Sequence, residues 1–384
     1  MYAGGYEQFK HPNIHCLYEN TEGTFTRKEL PLPPFTASVV RPLDMDHDGD
    51  LDLFIGARIK TGMFPLADDS WLLMNDEGNY HRENAMNFKL GMVTDAIWSD
   101  YDGDGWEDLL ITREWNSPIL LKNMEGTSLE SQLLPELDGK HGSWFSINAA
   151  DFDQDGDPDY LLGNLGDNHR FTVSEEYPMR IYALDLDNNG SLDPIATAYW
   201  KDQHDVMTEY PVNYLDELVG QSDYFITKFN WEYATFSYTS FKNMFDTATI
   251  NRVEHIYLTN TTSSFILWNE EDHFRWEKLP VEAQLSPIKK SIIEDFNGDG
   301  YPDVLLAGND HTYDVSTGYY DASKGLLLMS RDGKPLKEVW ISARTGMVLN
   351  GMVESLLNMD GEFPHIVAGL NRDSVIVYTL NRKP

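Results

Sequence analysis

The chain has 384 residues, with 63 Asp and Glu against 29 Lys and Arg and a formal charge of -34, which excludes a nucleic-acid surface built on bulk positive charge. Hydrophobic residues at 41% and aromatics at 12% suffice for one large core or two ordinary ones and exclude a disordered acidic tail. A single cysteine, Cys16, excludes an internal disulfide framework and a cysteine-based zinc site.

In chain order, the opening MYAGGYEQFKHPNI lacks the basic-then-apolar pattern of a signal peptide, and no run approaches the roughly 18 apolar residues of a membrane span. The chain reads as soluble, and an exported protein whose sequence starts after processing would look the same. Tyr2 to Gly5 reads as a strand after a missing loop, and CLYENTEGTF (16–25) as a strand with its turn. From there one pattern recurs: a short apolar strand, an acidic loop, and a second apolar strand. The loops are DMDHDGDLD (44–52), DYDGDGWED (100–108), DFDQDGDPD (151–159), DLDNNGSLD (185–193) and DFNGDGYPD (295–303). Before them stand ASVV, DAIW, SINAA, RIYAL and SIIE; after four of them come LFIG, LLIT, YLLG and VLLAG, and a third strand with a turn often follows, as in WLLMNDEGNY (71–80). The unit is a three- or four-stranded antiparallel meander.

Each loop reads D-x-[DN]-x-[DN]-G-x-x-D. Oxygens at positions one, three and five of a tight turn converge on one centre, glycine at six permits the turn, the carbonyl at seven closes the ring and the aspartate at nine completes it. The ligand sets are Asp44, Asp46, Asp48, Asp50 and Asp52; Asp100, Asp102, Asp104, Trp106 and Asp108; Asp151, Asp153, Asp155, Asp157 and Asp159; Asp185, Asp187, Asn189, Ser191 and Asp193; and Asp295, Asn297, Asp299, Tyr301 and Asp303. Two carboxylates about 4 Å apart repel by roughly 4 kcal/mol at an effective dielectric near 20, so the loops splay without a cation. Hard oxygen ligands in a flexible loop select Ca²⁺ over Mg²⁺ or Zn²⁺, at up to five sites. An EF-hand would need a glutamate at position twelve, where Ile55, Ile111, Leu162, Ala196 and Leu306 stand instead.

The loops start 56, 51, 34 and 110 residues apart. The first two spacings suit propeller blades, 34 implies a trimmed blade and 110 a blade with an insertion. Residues 201–250 read as short helices, the insertion of the fourth loop-bearing blade. With the opening fragment and a decayed unit at 355–369, the count is seven blades, six or eight being the alternatives, in one all-β propeller.

These loops, with WSDYDGDGWEDLL and AADFDQDGDPDYLLGNLGDNHRF, resemble the FG-GAP or VCBS repeat proteins, whose propellers also form the integrin α-subunit head. The likeness is greatest to a bacterial branch often found with ASPIC/UnbV modules. The resemblance implies a seven-bladed calcium-binding propeller, exported or in the cell envelope (extracellular, cell surface or periplasm), with non-catalytic binding as its role. No ASPIC/UnbV module is evident, so an RNA-binding role is not implied. Asn189 and Asn297 depart from the all-carboxylate pattern and weaken the fourth and fifth sites.

If each acidic loop joins strands one and two, the connections after strand two emerge on the opposite face. They carry Arg58, Arg113, Glu114, Trp115, Asn164, Asn168, Arg170, Asn309 and His311, a set suited to a glycan or a protein, including an outer-membrane protein complex. The competing reading is that these residues pack and hydrogen-bond the blades. No HExxH, GxSxG, Walker or GxGxxG motif is present, so a non-catalytic binding or assembly subunit is expected, with a carbohydrate-active enzyme as the alternative.

Overall fold

The computed structural model describes residues 14–380 apart from 254, 271–272, 314–316, 360 and 362–363; the strand expected at 2–5 lies outside these residues. The fold is mostly antiparallel β-sheet. A hairpin of β1 (Cys16–Thr21) and β2 (Thr24–Glu29) precedes the first meander, in which β3 (Ala37–Leu43), β4 (Asp52–Ala57), β5 (Ser70–Leu73) and β8 (Met86–Phe88) pair in that order. A small hairpin, β6 (Asn75–Asp76) with β7 (Asn79–Tyr80), interrupts it. The second meander is β9 (Val93–Ser99), β10 (Asp108–Asn116), β11 (Ile119–Asn123) and β12 (Leu129–Gln132), with β13 (Gly142–Ser143) on the far end of β10.

The third meander is split. β14 (Ser146–Ala150) and β15 (Asp159–Gly163) continue into β20 (Phe265–Glu270) and β21 (His273–Lys278) only after a separate sheet has been made. That sheet comprises β16 (Met179–Ala183), β17 (Ile195–Lys201), β18 (Met207–Pro211) and β19 (His255–Thr259), in the order β18-β17-β16-β19. Between β18 and β19 run five short helices: α1 (Leu215–Gln221), α2 (Asp223–Phe229), α3 (Tyr233–Tyr238), α4 (Phe241–Met244) and α5 (Thr247–Ile250). The fourth meander is β22 (Ile288–Glu294), β23 (Asp303–Gly308), β24 (Leu326–Arg331) and β25 (Lys334–Ile341), followed by the single turn α6 (Ser342–Thr345). The last sheet has three strands, β26 (Val353–Met359), β27 (His365–Leu370) and β28 (Val375–Thr379).

This order corrects two expectations. The fourth loop-bearing unit is not the next member of a series; it is inserted between the second and third strands of the third unit, and both the 34-residue and the 110-residue spacings arise from that nesting. The row of meanders therefore numbers five among the described residues, with the nested sheet beside it, rather than seven consecutive units. The stretch read as helical from residue 201 also begins as strand, because Met207–Pro211 pairs with Thr197–Lys201 across a tight turn in which Asp205 takes a positive φ of 63°.

The first strands of the five meanders stand side by side. Ser38 on β3 donates to Val93 O on β9 at 2.7 Å, Ser146 on β14 donates to Ile288 O on β22 at 3.1 Å, and Asn358 on β26 donates to Glu294 on β22 at 2.7 Å. The second strands β4, β15 and β23 are buried at every position, because neighbouring meanders cover both faces; hence their unbroken apolar runs. A separate core fills each gap: Phe54, Leu72 and Leu109 between the first two meanders, Leu110, Leu120 and Tyr160 between the next two, Leu161, Val304 and Leu328 in the third gap, and Leu305, Leu327 and Ile366 in the last. The glycine ending two of the apolar runs is a packing requirement. A Cβ on Gly56 would lie 2.7 Å from both Val39 and Val93, and one on Gly163 would lie 2.2 Å from Ile288 O.

Candidate metal centres

All five acidic loops share one backbone. Position four is left-handed in each, at His47, Gly103, Gln154, Asn188 and Gly298 with φ between 59° and 76°, and the glycine at six has φ between 86° and 106°. That glycine's N–H donates to the first aspartate in every copy, at 2.8–3.1 Å. The residue at five accepts from the N–H at seven, at 2.7–3.0 Å. The sequence pattern thus specifies a preformed cup, its turn held by the acidic side chains themselves.

Four loops gather three carboxylates whose ligand atoms lie within 4.8 Å of one another: Asp44, Asp46 and Asp48; Asp100, Asp102 and Asp108; Asp151, Asp153 and Asp159; and Asp185, Asp187 and Asp193. Three of the oxygens, Asp44 Oδ1, Asp108 Oδ2 and Asp151 Oδ1, are buried without a hydrogen-bond partner in the protein. An anionic oxygen left so costs free energy that a cation recovers. The donor set fits a hard divalent ion. In the fifth loop the Asn297 amide donates to Asp299 at 3.1 Å, so this side chain restrains a neighbouring ligand as well as replacing a charge.

The aspartate at position nine has a second task. Asp52, Asp159, Asp193 and Asp303 accept from the backbone N–H of the residue at position two, at 2.9–3.1 Å. Asp52, Asp108, Asp159 and Asp303 also accept from backbone N–H groups at or just after the third strand, at Asn75, Asn123, Asn269 and Ser330, at 2.7–2.9 Å. Burial pushes these carboxyls up, Asp108 to about 6 and Asp159 to about 7, despite the N–H donors. Two of the third-strand asparagines then reach the neighbouring meander: Asn123 Nδ2 donates to Met45 O at 3.1 Å and Asn269 Nδ2 to Tyr101 O at 2.7 Å. Sequence reasoning missed this clamp. Its signal was the polar residue ending each third strand, in WLLMN, ILLKN, FILWN and LLLMS.

Loops one, two, three and five join strands one and two of successive meanders, and they adjoin in pairs, one with two and three with five. His47 stacks on Trp106 with ring centroids 4.3 Å apart, and Gln154 donates to Gly300 O at 2.6 Å. The fourth loop lies apart on the nested sheet, where Arg252 donates to Asp185 O and Asn188 Oδ1. Among the described residues, the second loop is the one whose acidic side chains pair with a lysine: Lys122 on β11 pairs with Asp102 and, at 3.0 Å, with Asp104.

The residues of the other connections are used unequally. Arg58 pairs with Glu114. Arg113 donates to Ser117 O at 2.7 Å and Leu90 O at 3.0 Å, and burial lowers its pKa to about 10. Asn164 and Asn309 are buried, the first donating to Thr261 O and the second to Ser323 O and Gly351 O. Asn168 donates to Leu285 O, Arg170 lies over the Phe171 ring and His311 packs on Tyr319. Trp115, left-handed at φ 57°, lines a cavity of about 350 Å³ with His141 and Tyr257. Tyr313, after β23, has its phenol pushed well above the ordinary range by burial and then by Glu114 and Asp310.

A separate cavity of about 440 Å³ opens between β17–β18 and α3, walled by Trp200, Tyr210, Tyr214, Tyr233 and Tyr238. Beneath it Phe225, Phe229 and Phe236 are buried against Leu184, Ile195 and Leu218. Among the described residues no helix is long and apolar enough to cross a membrane.

The family model described as FG-GAP-like repeat matches residues 100–162, from the start of the second loop into the apolar run after the third. No curated protein matches the chain. The Vibrio cholerae biofilm matrix protein Bap1 is similar over 94% of this chain and 72% of its own, at 12% identity and a TM-score of 0.36. Saccharomyces cerevisiae Sqt1 is similar over 95% and 78%, at 9% and 0.39. BBS1N, from a complex with ARL6DN soaked with lead, is similar over 99% and 95%, at 9% and 0.36. Likeness at this level carries no functional inference.

Proposed function

We propose that this FG-GAP-like repeat protein, matched as such over residues 100–162, is a calcium-stabilised β-propeller of the cell surface or envelope that acts as a non-catalytic binding or assembly subunit. The five meanders are its blades, and the nested sheet with its helices is an appendage of the third. The observation that carries the reading is the fivefold repetition of one preformed loop whose buried Asp44, Asp108 and Asp151 oxygens lack a partner. Calcium would be held by the side chains at positions one, three, five and nine and the carbonyl at seven, and its chemistry there is charge neutralisation.

Extracellular calcium modules bind at roughly 10⁻⁴ to 10⁻³ M, a range filled outside the cytosol. At ten times the dissociation constant each site adds about 1.4 kcal/mol, a sizeable share of a domain's total of roughly 5–15 kcal/mol. Because Asn123 and Asn269 tie the loops to neighbouring meanders, that energy reaches the interfaces between blades. A protein or glycan partner would meet the tyrosine-walled cavity or the exposed side chains opposite the loops. Calorimetric titration of chelator-treated protein with Ca²⁺ tests the reading: it expects several sites filling below a few millimolar. Heats indistinguishable from dilution would overturn it.

A further inference from the structure

The three meander copies with four carboxylates allow a comparison within one molecule. Loops one, two and three carry aspartate at positions one, three, five and nine, yet only the second has a lysine among them. Lys122 pairs with Asp102 Oδ2 and Asp104 Oδ2, while the other oxygen of Asp104 accepts the Trp106 N–H at 3.0 Å. Both Asp104 oxygens are therefore engaged before any metal arrives. The residue sits immediately before Asn123, the asparagine whose N–H clamps Asp108. The corresponding residues of the first, third and fifth loop-bearing units are Met74, Trp268 and Met329, none of them charged. Among the described residues no other lysine or arginine pairs with a carboxylate at these loop positions.

We infer that the Lys122 ammonium is a tethered counter-cation that takes up part of the second loop's ligand set, so that this loop binds a divalent ion more weakly than the first and third and stays ordered without one. The inference rests on the metal-binding reading of the loops. A divalent ion entering here must displace the ammonium or use fewer carboxylate oxygens, and it also meets a lysine paired with its carboxylates, which the first and third loops lack among the described residues. The second loop would then hold its two neighbours in register while calcium is scarce, through Asn123 to the first loop and Asn269 to Tyr101.

The test is calorimetric titration of the full chain with Ca²⁺, together with melting in excess chelator, for wild type, Lys122→Met and Lys122→Arg. Lys122→Met should gain at least tenfold in affinity at one site and melt below wild type in chelator. Lys122→Arg, which keeps the charge, should follow wild type. Adding Asp100→Asn to Lys122→Met should abolish the gain and so place it in the second loop. Lys122→Gln serves the same purpose where methionine disturbs folding. An unchanged isotherm and an unchanged chelator melt for both neutral variants overturn the inference while leaving calcium binding intact. Absence of calcium binding by wild type overturns the metal reading itself; a lower chelator melt of the neutral variants would then still support the ammonium's structural part.

Discussion

Asn123 donates its side-chain amide to the carbonyl of Met45, 3.1 Å away, while its own backbone N–H donates to Asp108 at 2.7 Å. One residue thus joins the first acidic loop to the second across the gap between two meanders. Asn123→Ala leaves Met45 O and the Glu107 carbonyl, which the same amide also reaches at 3.2 Å, without this donor. The expected cost is roughly 1–3 kcal/mol, as for other buried groups deprived of a partner. Urea unfolding measures it, and calcium affinity at the first loop should fall along with stability.

Gly163 is held to hydrogen by geometry. A methyl group there would lie 2.2 Å from Ile288 O and 2.4 Å from Ser146 Oγ, at the hydrogen bond that joins the third and fourth meanders. Gly163→Ala should destabilise by about 1–3 kcal/mol or more. A normal urea midpoint would show that the two meanders have room to part.

Arg113 separates stability from recognition. Its two donors end on Ser117 O and Leu90 O, so Arg113→Ala should lower the melting temperature by several degrees. Trp115→Ala, at a cavity wall, should melt close to wild type; any loss of partner affinity in that variant would then report a contact rather than a folding defect.

The position-nine carboxyls set a pH dependence for the metal-free protein. Burial raises Asp108 to about 6 and Asp159 to about 7, above the roughly 3.9 of an unfolded aspartate. Between those values the folded state holds more protons than the unfolded state, so stability rises as pH falls from about 7.5 toward 5 and levels off near 4. In excess chelator the melting temperature should be higher at pH 5.5 than at pH 7.5, and Asp159→Asn should flatten the difference. A melt that falls on acidification over this range would contradict the assignment.

Much of this was legible in the sequence. The loops announce themselves because few residue types satisfy a left-handed fourth position, a glycine sixth position and side-chain acceptors between them. The apolar runs after the loops mark second strands because burial on both faces leaves no polar alternation. The nesting of β16–β19 inside the third meander was not legible. Local pattern shows that RIYAL is a strand, but not that FILWNE, about a hundred residues beyond YLLG, returns to pair with it. Likewise Lys122 reads in sequence as one more solvated charge on a strand, and only the fold carries its ammonium to Asp102 and Asp104.

The most direct measurement is thermal unfolding followed by circular dichroism, at 2 mM Ca²⁺ and in excess EGTA. Ions bridging the acidic loops should raise the midpoint by roughly five to ten degrees, on the scale of several kcal/mol shared among the sites. Superimposable curves, with the Asp44, Asp151 and Asp185 loops still folded in chelator, would contradict a calcium-stabilised fold.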